Sequence, residues 1–272
     1  MGRPLLLYLL LILLMPAQAA AVEGTLTSVE HCKAALQTDP SPGPALPDTL
    51  RLVTWNVMKL DRPQARELAT TLGRDADLML LQESPVEFSL YADVDGDHFA
   101  PGYQRRNQLT GVSLHSPLMV DTRCTLSFRE PWLRTPKAVL AVRIAGSRQN
   151  LLVVNLHGIN FTLGSGAYRR QLQAIAELVR AHDGPAIVAG DFNHWNPWRR
   201  GVLEEFRASL GLDEVSFAPD WRSRHLGSPV DGAFVRGLRV ISATAYPTSR
   251  SDHNPIGLTL ETASPVAADN PG

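Results

Sequence analysis

Apolar runs of strand length recur along this chain, and one after another they meet a polar residue able to hold a cation or move a proton. Asn56 follows Leu52-Val53-Thr54-Trp55, and Glu83 follows Leu78-Met79-Leu80-Leu81-Gln82. His157 follows Leu151-Leu152-Val153-Val154-Asn155-Leu156, while Asp191 and Asn193 follow Ile187-Val188-Ala189-Gly190. Asp231 lies within Pro229-Val230-Asp231-Gly232-Ala233-Phe234, and Asp252 and His253 stand just before Pro255-Ile256. Adjacent strand ends from two sheets can converge on one rim, so this pattern constrains the chain to a β-rich fold with its polar residues at the strand ends.

The spacing predicts strands over 50–57, 77–81, 111–120, 123–128, 138–144, 151–156, 186–189, 230–235, 240–246 and 256–260. Helices are predicted over 62–72, 168–182 and 201–210; in the second, Leu172, Ile175, Ala176 and Val179 share one face. Many strands with several helices around one core fit two sheets packed face to face with helices outside. A short helix over 27–36 precedes Thr38 to Pro47, where Pro40, Pro42, Gly43, Pro44 and Pro47 break the chain into an extended linker.

The first residues read as a secretory signal. A basic start, an apolar run from Leu5 to Leu14 and Ala-x-Ala spacing predict cleavage after Ala19 or Ala21. The run is shorter than the ~20 residues that span a bilayer, which weighs against an uncleaved anchor. A secreted or periplasmic monomer with no remaining membrane span is expected. The resulting organisation is a signal over 1–21, helix and linker over 22–48, one domain over 49–262 and a disordered tail over 263–272. Cys32 and Cys124 are the two cysteines, and the sequence leaves open a disulfide or two buried thiols.

Each polar strand end alone would more often be a turn or a solvated end than a ligand. The joint order of Trp-Asn, Gln-Glu, Asn-x-His, Gly-Asp-Phe-Asn and Ser-Asp-His is what carries specificity. On these motifs the chain, over 50–260, resembles the endonuclease/exonuclease/phosphatase superfamily, and most of all a bacterial branch of it. The resemblance implies the deoxyribonuclease I-like fold, an α/β four-layer α/β/β/α sandwich of two packed mixed sheets. It also implies a Mg²⁺- or Mn²⁺-dependent hydrolase of phosphate esters. By the same resemblance Glu83 is the principal metal ligand, with Asn56 and Asp252 completing the metal environment. Asp191 and Asn193 position the attacking water and the phosphate. His253, oriented by Asp231, is the general base or stabilises the phosphoryl charge. His157 donates toward the phosphate or the leaving group, and Arg129-Glu130-Pro131 resembles a segment whose acid orients that histidine. General chemistry agrees: Mg²⁺ takes oxygen ligands and keeps several waters, and a histidine beside a carboxylate has a fixed tautomer.

The substrate is less legible. Arg105-Arg106, Arg199-Arg200, Arg222 and Arg224 with Trp195, Trp198 and Trp221 could grip nucleic acid by pairing and stacking, or a lipid head group, or be ordinary surface. The formal net charge of -1 excludes a global basic field and argues mildly against long-duplex binding. A secreted nuclease is the leading expectation. A phosphatase or phosphodiesterase on lipid head groups or small esters stands close behind, and an inactive binding protein is the remote third.

Overall fold

The computed structural model describes residues 25–91, 95–162 and 164–262. The expected signal and tail lie outside the described residues. The strands form two six-stranded sheets. The first contains β1 (Thr49–Asn56), β2 (Leu78–Pro85), β3 (Asp97–Arg105), β4 (Gln108–His115), β13 (Leu238–Ala245) and β14 (Ile256–Thr262), in the order β13-β14-β1-β2-β4-β3. The second contains β5 (Val120–Arg129), β6 (Pro136–Ile144), β7 (Leu151–His157), β8 (Ala186–Asp191), β9 (Asp213–Glu214) and β12 (Asp231–Arg236), in the order β5-β6-β7-β8-β12-β9. A two-stranded ribbon joins β10 (Arg224–His225) to β11 (Ser228–Pro229).

Each sheet is mixed, with a central parallel pair: β1 with β2, and β7 with β8. A parallel pair needs a crossover, and here each crossover contains a helix: α2 (Ala65–Arg74) links the first pair and α3 (Gly166–Arg180) the second. Alternation along the strands then defines the layers. Leu50, Leu52, Leu78 and Leu80 of the first sheet pack between the sheets against Leu140, Val142, Val153 and Ile187 of the second. The opposite faces take the helices. Trp55, Met79 and Leu81 pack with Ala65 and Ala69 of α2. Leu152, Val154 and Val188 pack with α3, with α4 (Pro197–Ala208) and with α1 (Val29–Leu36). The result is the four-layer α/β/β/α sandwich.

The sequence ahead of β1 is fastened to this frame. Ser28 caps α1 by accepting from His31 N. Cys32 is disulfide-bonded to Cys124 of β5. Arg143, buried in β6, donates to the carbonyls of Leu36 and Thr38 at 3.1 and 2.9 Å and pairs with Asp121 at 2.8 Å. The proline-rich stretch is therefore laid along the domain, with Ser41 N donating to Asp121 at 2.9 Å.

Two expectations change. The strand over 111–120 is two strands that break at Ser116-Pro117, and β3 was not expected at all. Pro101 and Gly102 suggest a turn, but β3 is a sheet edge, where a proline leaves no ladder bond unmade. His98 of β3 is 1% exposed, and both ring nitrogens are without a partner among the described residues. Burial, then the charge of Arg123, pushes its pKa down from 6.5 to about 4. Between those values the unfolded chain binds the extra proton, so the stabilising contribution is complete above the upper value and is lost as pH falls. Unfolding free energy should decline by about 1.4 kcal/mol per pH unit in that window. Denaturant titrations at pH 7 and pH 5 check this: His98→Phe should lose less on acidification than the parent, and an identical loss would exclude His98 as the cause.

Candidate active site

The polar residues gather because the inward-facing rows of the strands continue past the core. Asp191 extends the row of Ile187 and Ala189, and Asp231 extends that of Ala233 and Val235. Register sets His157 opposite Asp191 across β7 and β8, and Asp191 opposite Asp231 across β8 and β12. Three functional side chains thus stand in one lateral row on three strands. In the facing sheet Asn56 is opposite Gln82. Asn56, Glu83, His157 and Asp191 all lie at the carboxyl ends of the two parallel pairs, where ligand sites of α/β sheets form.

Local backbone features aim these groups. Glu83 sits at a register shift between β2 and β4 with φ of 51°, a bulge that turns its carboxylate out of the strand's alternation. Asn193 also has positive φ, 50°. Met58, Lys59 and Leu60 form a run of left-handed residues after β1. It sets Lys59 Nζ on Glu83 Oε2 at 2.7 Å. Ser251 ties the last motif to β1 by donating to Asn56 O at 2.7 Å, and Trp55 Nε1 donates to His253 O at 2.8 Å. Asn254 donates to Trp221 O and accepts from Thr248 N, so the Ser-Asp-His-Asn loop is fixed throughout.

Asp191 is at the centre. Its Oδ2 accepts from Asn56 Nδ2 at 3.1 Å and its Oδ1 from Asn193 N at 3.0 Å. His157 Nε2 and His253 Nε2 lie 3.5 and 4.0 Å from Oδ2. His253 Nδ1 meets both Asp231 oxygens, at 2.8 and 2.9 Å. Burial works against the charge of His253, but Asp231 more than offsets it and Asp191 and Asp252 add to it, so its pKa is pushed up to about 10. Burial also pushes Asp191 up to about 6; the His253 charge opposes this and Asp231 reinforces it. The bond to Asp231 and the nearby Asp191 carboxylate thus favour the cationic form of His253.

His157 stands differently from expectation. Its Nε2 is 2.7 Å from Lys137 Nζ, and an ammonium can only donate, so Nε2 accepts. Burial, then Lys137 and His253, holds its pKa well below the ordinary value. Glu130 does not reach His157 directly: its Oε1 accepts from Asn160 N at 2.9 Å and Phe161 N at 3.2 Å and lies 3.9 Å from Lys137. Asn193 Nδ2 donates to Gly158 O at 3.2 Å.

The residues fit a hard divalent cation. Ligand atoms of Asp191, Asp231 and His253 lie within 4.8 Å of one another, the histidine being open to a metal only in its neutral form. Asn56 touches Asp191, and Glu83 already carries a cation, the Lys59 ammonium. This cluster differs from the expected grouping of Asn56, Glu83 and Asp252; Asp252 is exposed, and its Oδ1 accepts from Ser251 Oγ at 3.2 Å.

Several contributors had no role assigned from the sequence. Gln82 and Asn155, both fully buried, join the two sheets beneath the site: Gln82 Nε2 donates to Asn155 Oδ1 at 2.7 Å, and Asn155 Nδ2 donates to the carbonyls of Leu81 and Ser113. Gln171 of α3 pins the turn after β7, donating to His157 O and accepting from Ile159 N. Lys59 and Lys137 belong to none of the motifs read in the sequence. The expected basic groove also changes. Arg199 is 1% exposed, donates to the carbonyls of Ile159, Asn193 and Asn160, and stacks on Tyr168 and Trp195 at 5.2 Å. It is a scaffold residue. Arg222 and Arg224 are paired with Asp220.

Comparison with known proteins agrees with this fold. Residues 53–253 match the Endonuclease/Exonuclease/phosphatase family. A UPF0294 protein of Yersinia enterocolitica is 40% identical over 222 residues, covering 79% of this chain and 85% of its own length. A Vibrio cholerae UPF0294 protein is 39% identical over 214 residues, covering 76% of each chain. Among solved structures, D. rerio TDP2 complexed with single strand DNA product superposes with a TM-score of 0.56 at 18% identity, over 79% of this chain and all of that one. Staphylococcus aureus beta toxin gives 0.57 at 15% identity, over 77% of this chain and 99% of its own. At these identities the two structures speak for the fold.

Proposed function

Because this chain belongs to the endonuclease/exonuclease/phosphatase family, whose members are phosphoesterase hydrolases, we propose that it is a metal-dependent phosphodiesterase, exported from the cytoplasm and acting on nucleic acid. The observation that carries the reading is the lateral row of His157, Asp191 and Asp231 with His253 bonded to it. A bound Mg²⁺ or Mn²⁺, held by oxygens of Glu83 and Asn56, would supply charge neutralisation at the phosphoryl oxygens. Asp191, ionised and fixed by two amide donors, orients the attacking water and receives its proton. The His253 cation, locked by Asp231, faces the charge that builds on the phosphoryl group. The Asn193 amide adds an uncharged donor. Export is supported by the 1–21 pattern and by the Cys32–Cys124 disulfide, a bond that persists in oxidising compartments. Among the described residues no helix is long and apolar enough to cross a membrane.

A second reading, hydrolysis of small phosphate esters, is favoured by one observation: burial of Arg199 leaves fewer free cations beside the site than the sequence promised. Incubation with single-stranded DNA, plasmid DNA, sphingomyelin, phosphoinositides and a small monoester tests both. The protein should cleave nucleic acid with Mg²⁺ or Mn²⁺ and lose that activity in excess chelator. Turnover that survives complete metal removal would sink the metal-dependent reading. Release of inorganic phosphate from the monoester, with every nucleic acid left intact, would install the second one.

A further inference from the structure

A groove of about 490 Å³ opens beside His157, between the β3–β4 hairpin and the β5–β6 hairpin. Lys59, Arg105 and Lys137 line it, against the carboxylates of Glu83 and Glu130. Both carboxylates are committed, Glu83 to Lys59 and Glu130 to the amides of Asn160 and Phe161. Lys137 is the most buried of these cations and is only partly satisfied. Its side chain is 9% exposed, and its one hydrogen bond among the described residues goes to His157 Nε2 at 2.7 Å. Glu130 at 3.9 Å is beyond hydrogen-bond reach. Two of the three ammonium N–H donors therefore lack an acceptor, on a nearly buried charge. Burial of a charge whose hydrogen bond goes to an imidazole and whose nearest carboxylate, Glu130, stands 3.9 Å away is costly, and a bound anion relieves it. Arg105 makes no ion pair among the described residues, and Tyr103 and Phe161 line the groove at 41% and 54% exposure. Cations with exposed aromatic faces suit a phosphate bearing a planar base.

We propose that this groove seats the departing nucleotide and that Lys137, rather than His157, is the catalytic acid. The proposal rests on the phosphodiesterase reading above. As the water oxygen bonds to phosphorus, the bond from phosphorus to the leaving oxygen breaks and its electron pair stays on that oxygen. The oxygen takes a proton from Lys137 Nζ, and the resulting amine regains one from solvent. His157 is the positioning residue, holding Nζ through Nε2.

The test compares two substrates with Mn²⁺ present: a single-stranded oligonucleotide, whose leaving group is an alkoxide, and bis(4-nitrophenyl) phosphate, which releases a stable phenolate and gains little from protonation. Lys137→Met should lower kcat on the oligonucleotide about 10²–10³-fold, within the range for a lost general acid, and on the nitrophenyl ester by no more than about tenfold. Lys137→Arg keeps the charge but yields no proton near neutrality, so it should show the same split. Arg105→Ala should raise KM for the oligonucleotide more than for the small ester. Equal losses on both substrates, a fully active Lys137→Arg, or a Lys137→Met that does not fold beside such an active Arg variant would each overturn the acid role. A parent that cleaves a phospholipid diester and no oligonucleotide would overturn the nucleotide assignment. A parent inert toward both test substrates and toward phospholipid diesters would instead bring down the phosphodiesterase reading.

Discussion

Asp191→Asn should lose on the order of 10²–10⁴ in kcat, the range for a group that accepts a proton in the transition state, while its fold stays at least as stable as the parent's. The two halves of this expectation have one cause. Asp191 is buried and faces the Asp231 carboxylate, and burial raises its pKa to about 6. Between the ordinary carboxylate value and that one, the folded state binds more protons than the unfolded chain, so stability falls as pH rises across the window and stays reduced above it. An uncharged amide removes this penalty. It keeps the acceptor for Asn193 N but turns an amide group toward Asn56 Nδ2, which limits the gain. Steady-state rates with metal, set beside thermal unfolding in chelator, read the two effects separately. A folded variant keeping a tenth of the parent rate would remove Asp191 from the chemistry; a variant that melts well below the parent would contradict the electrostatic account.

Gly190→Ala should be the most destabilising conservative change in the site, upward of about 4 kcal/mol, the territory of core overpacking combined with strain. Gly190 has φ of +139°, and a Cβ there would lie 2.2 Å from the carbonyl oxygen of Leu156 on the paired strand. Backbone atoms of a central strand cannot give way as a flexible side chain does. Gly211→Ala separates the contributions: φ is +61° there but nothing lies within 4 Å of the added carbon, so left-handed strain alone, about 1–2 kcal/mol, should appear. Chemical denaturation of both variants checks the contrast. Similar losses at the two positions would mean that the β7–β8 pair accommodates the methyl group.

These glycines show which parts of the molecule were legible in its sequence. The two parallel pairs and the helices α2 and α3 were, because their apolar periodicity is long and each face packs on one layer. The edge strand β3 was not, because Pro101 is tolerated at an edge and excluded from a sheet interior, and Gly102 weakens the strand pattern. The site was legible where residues terminate apolar runs, as Asp191, His157 and Asp231 do. It was illegible where a residue acts at a distance along the chain. Lys137 meets His157 only because β6 and β7 are neighbours, and Arg199 looks like a surface cation until Asn196 caps α4 and turns it against the carbonyls of three separate residues. A one-dimensional pattern records neither meeting.

The amide clasp of Gln82 and Asn155 links the halves of the candidate active site to the spacing of the sandwich itself. Asn56, Glu83 and His253 are carried by one sheet and its loops, and His157, Asp191 and Asp231 by the other. Alignment of these six side chains is thus a measure of how far apart two slabs of backbone stand, and the apolar side chains between them act as shims. Substituting Leu140 or Val153, which touch none of the reacting groups, alters that thickness. In such variants turnover would report sub-ångström displacements long before unfolding did, much as a pair of calipers registers a change in the object it grips.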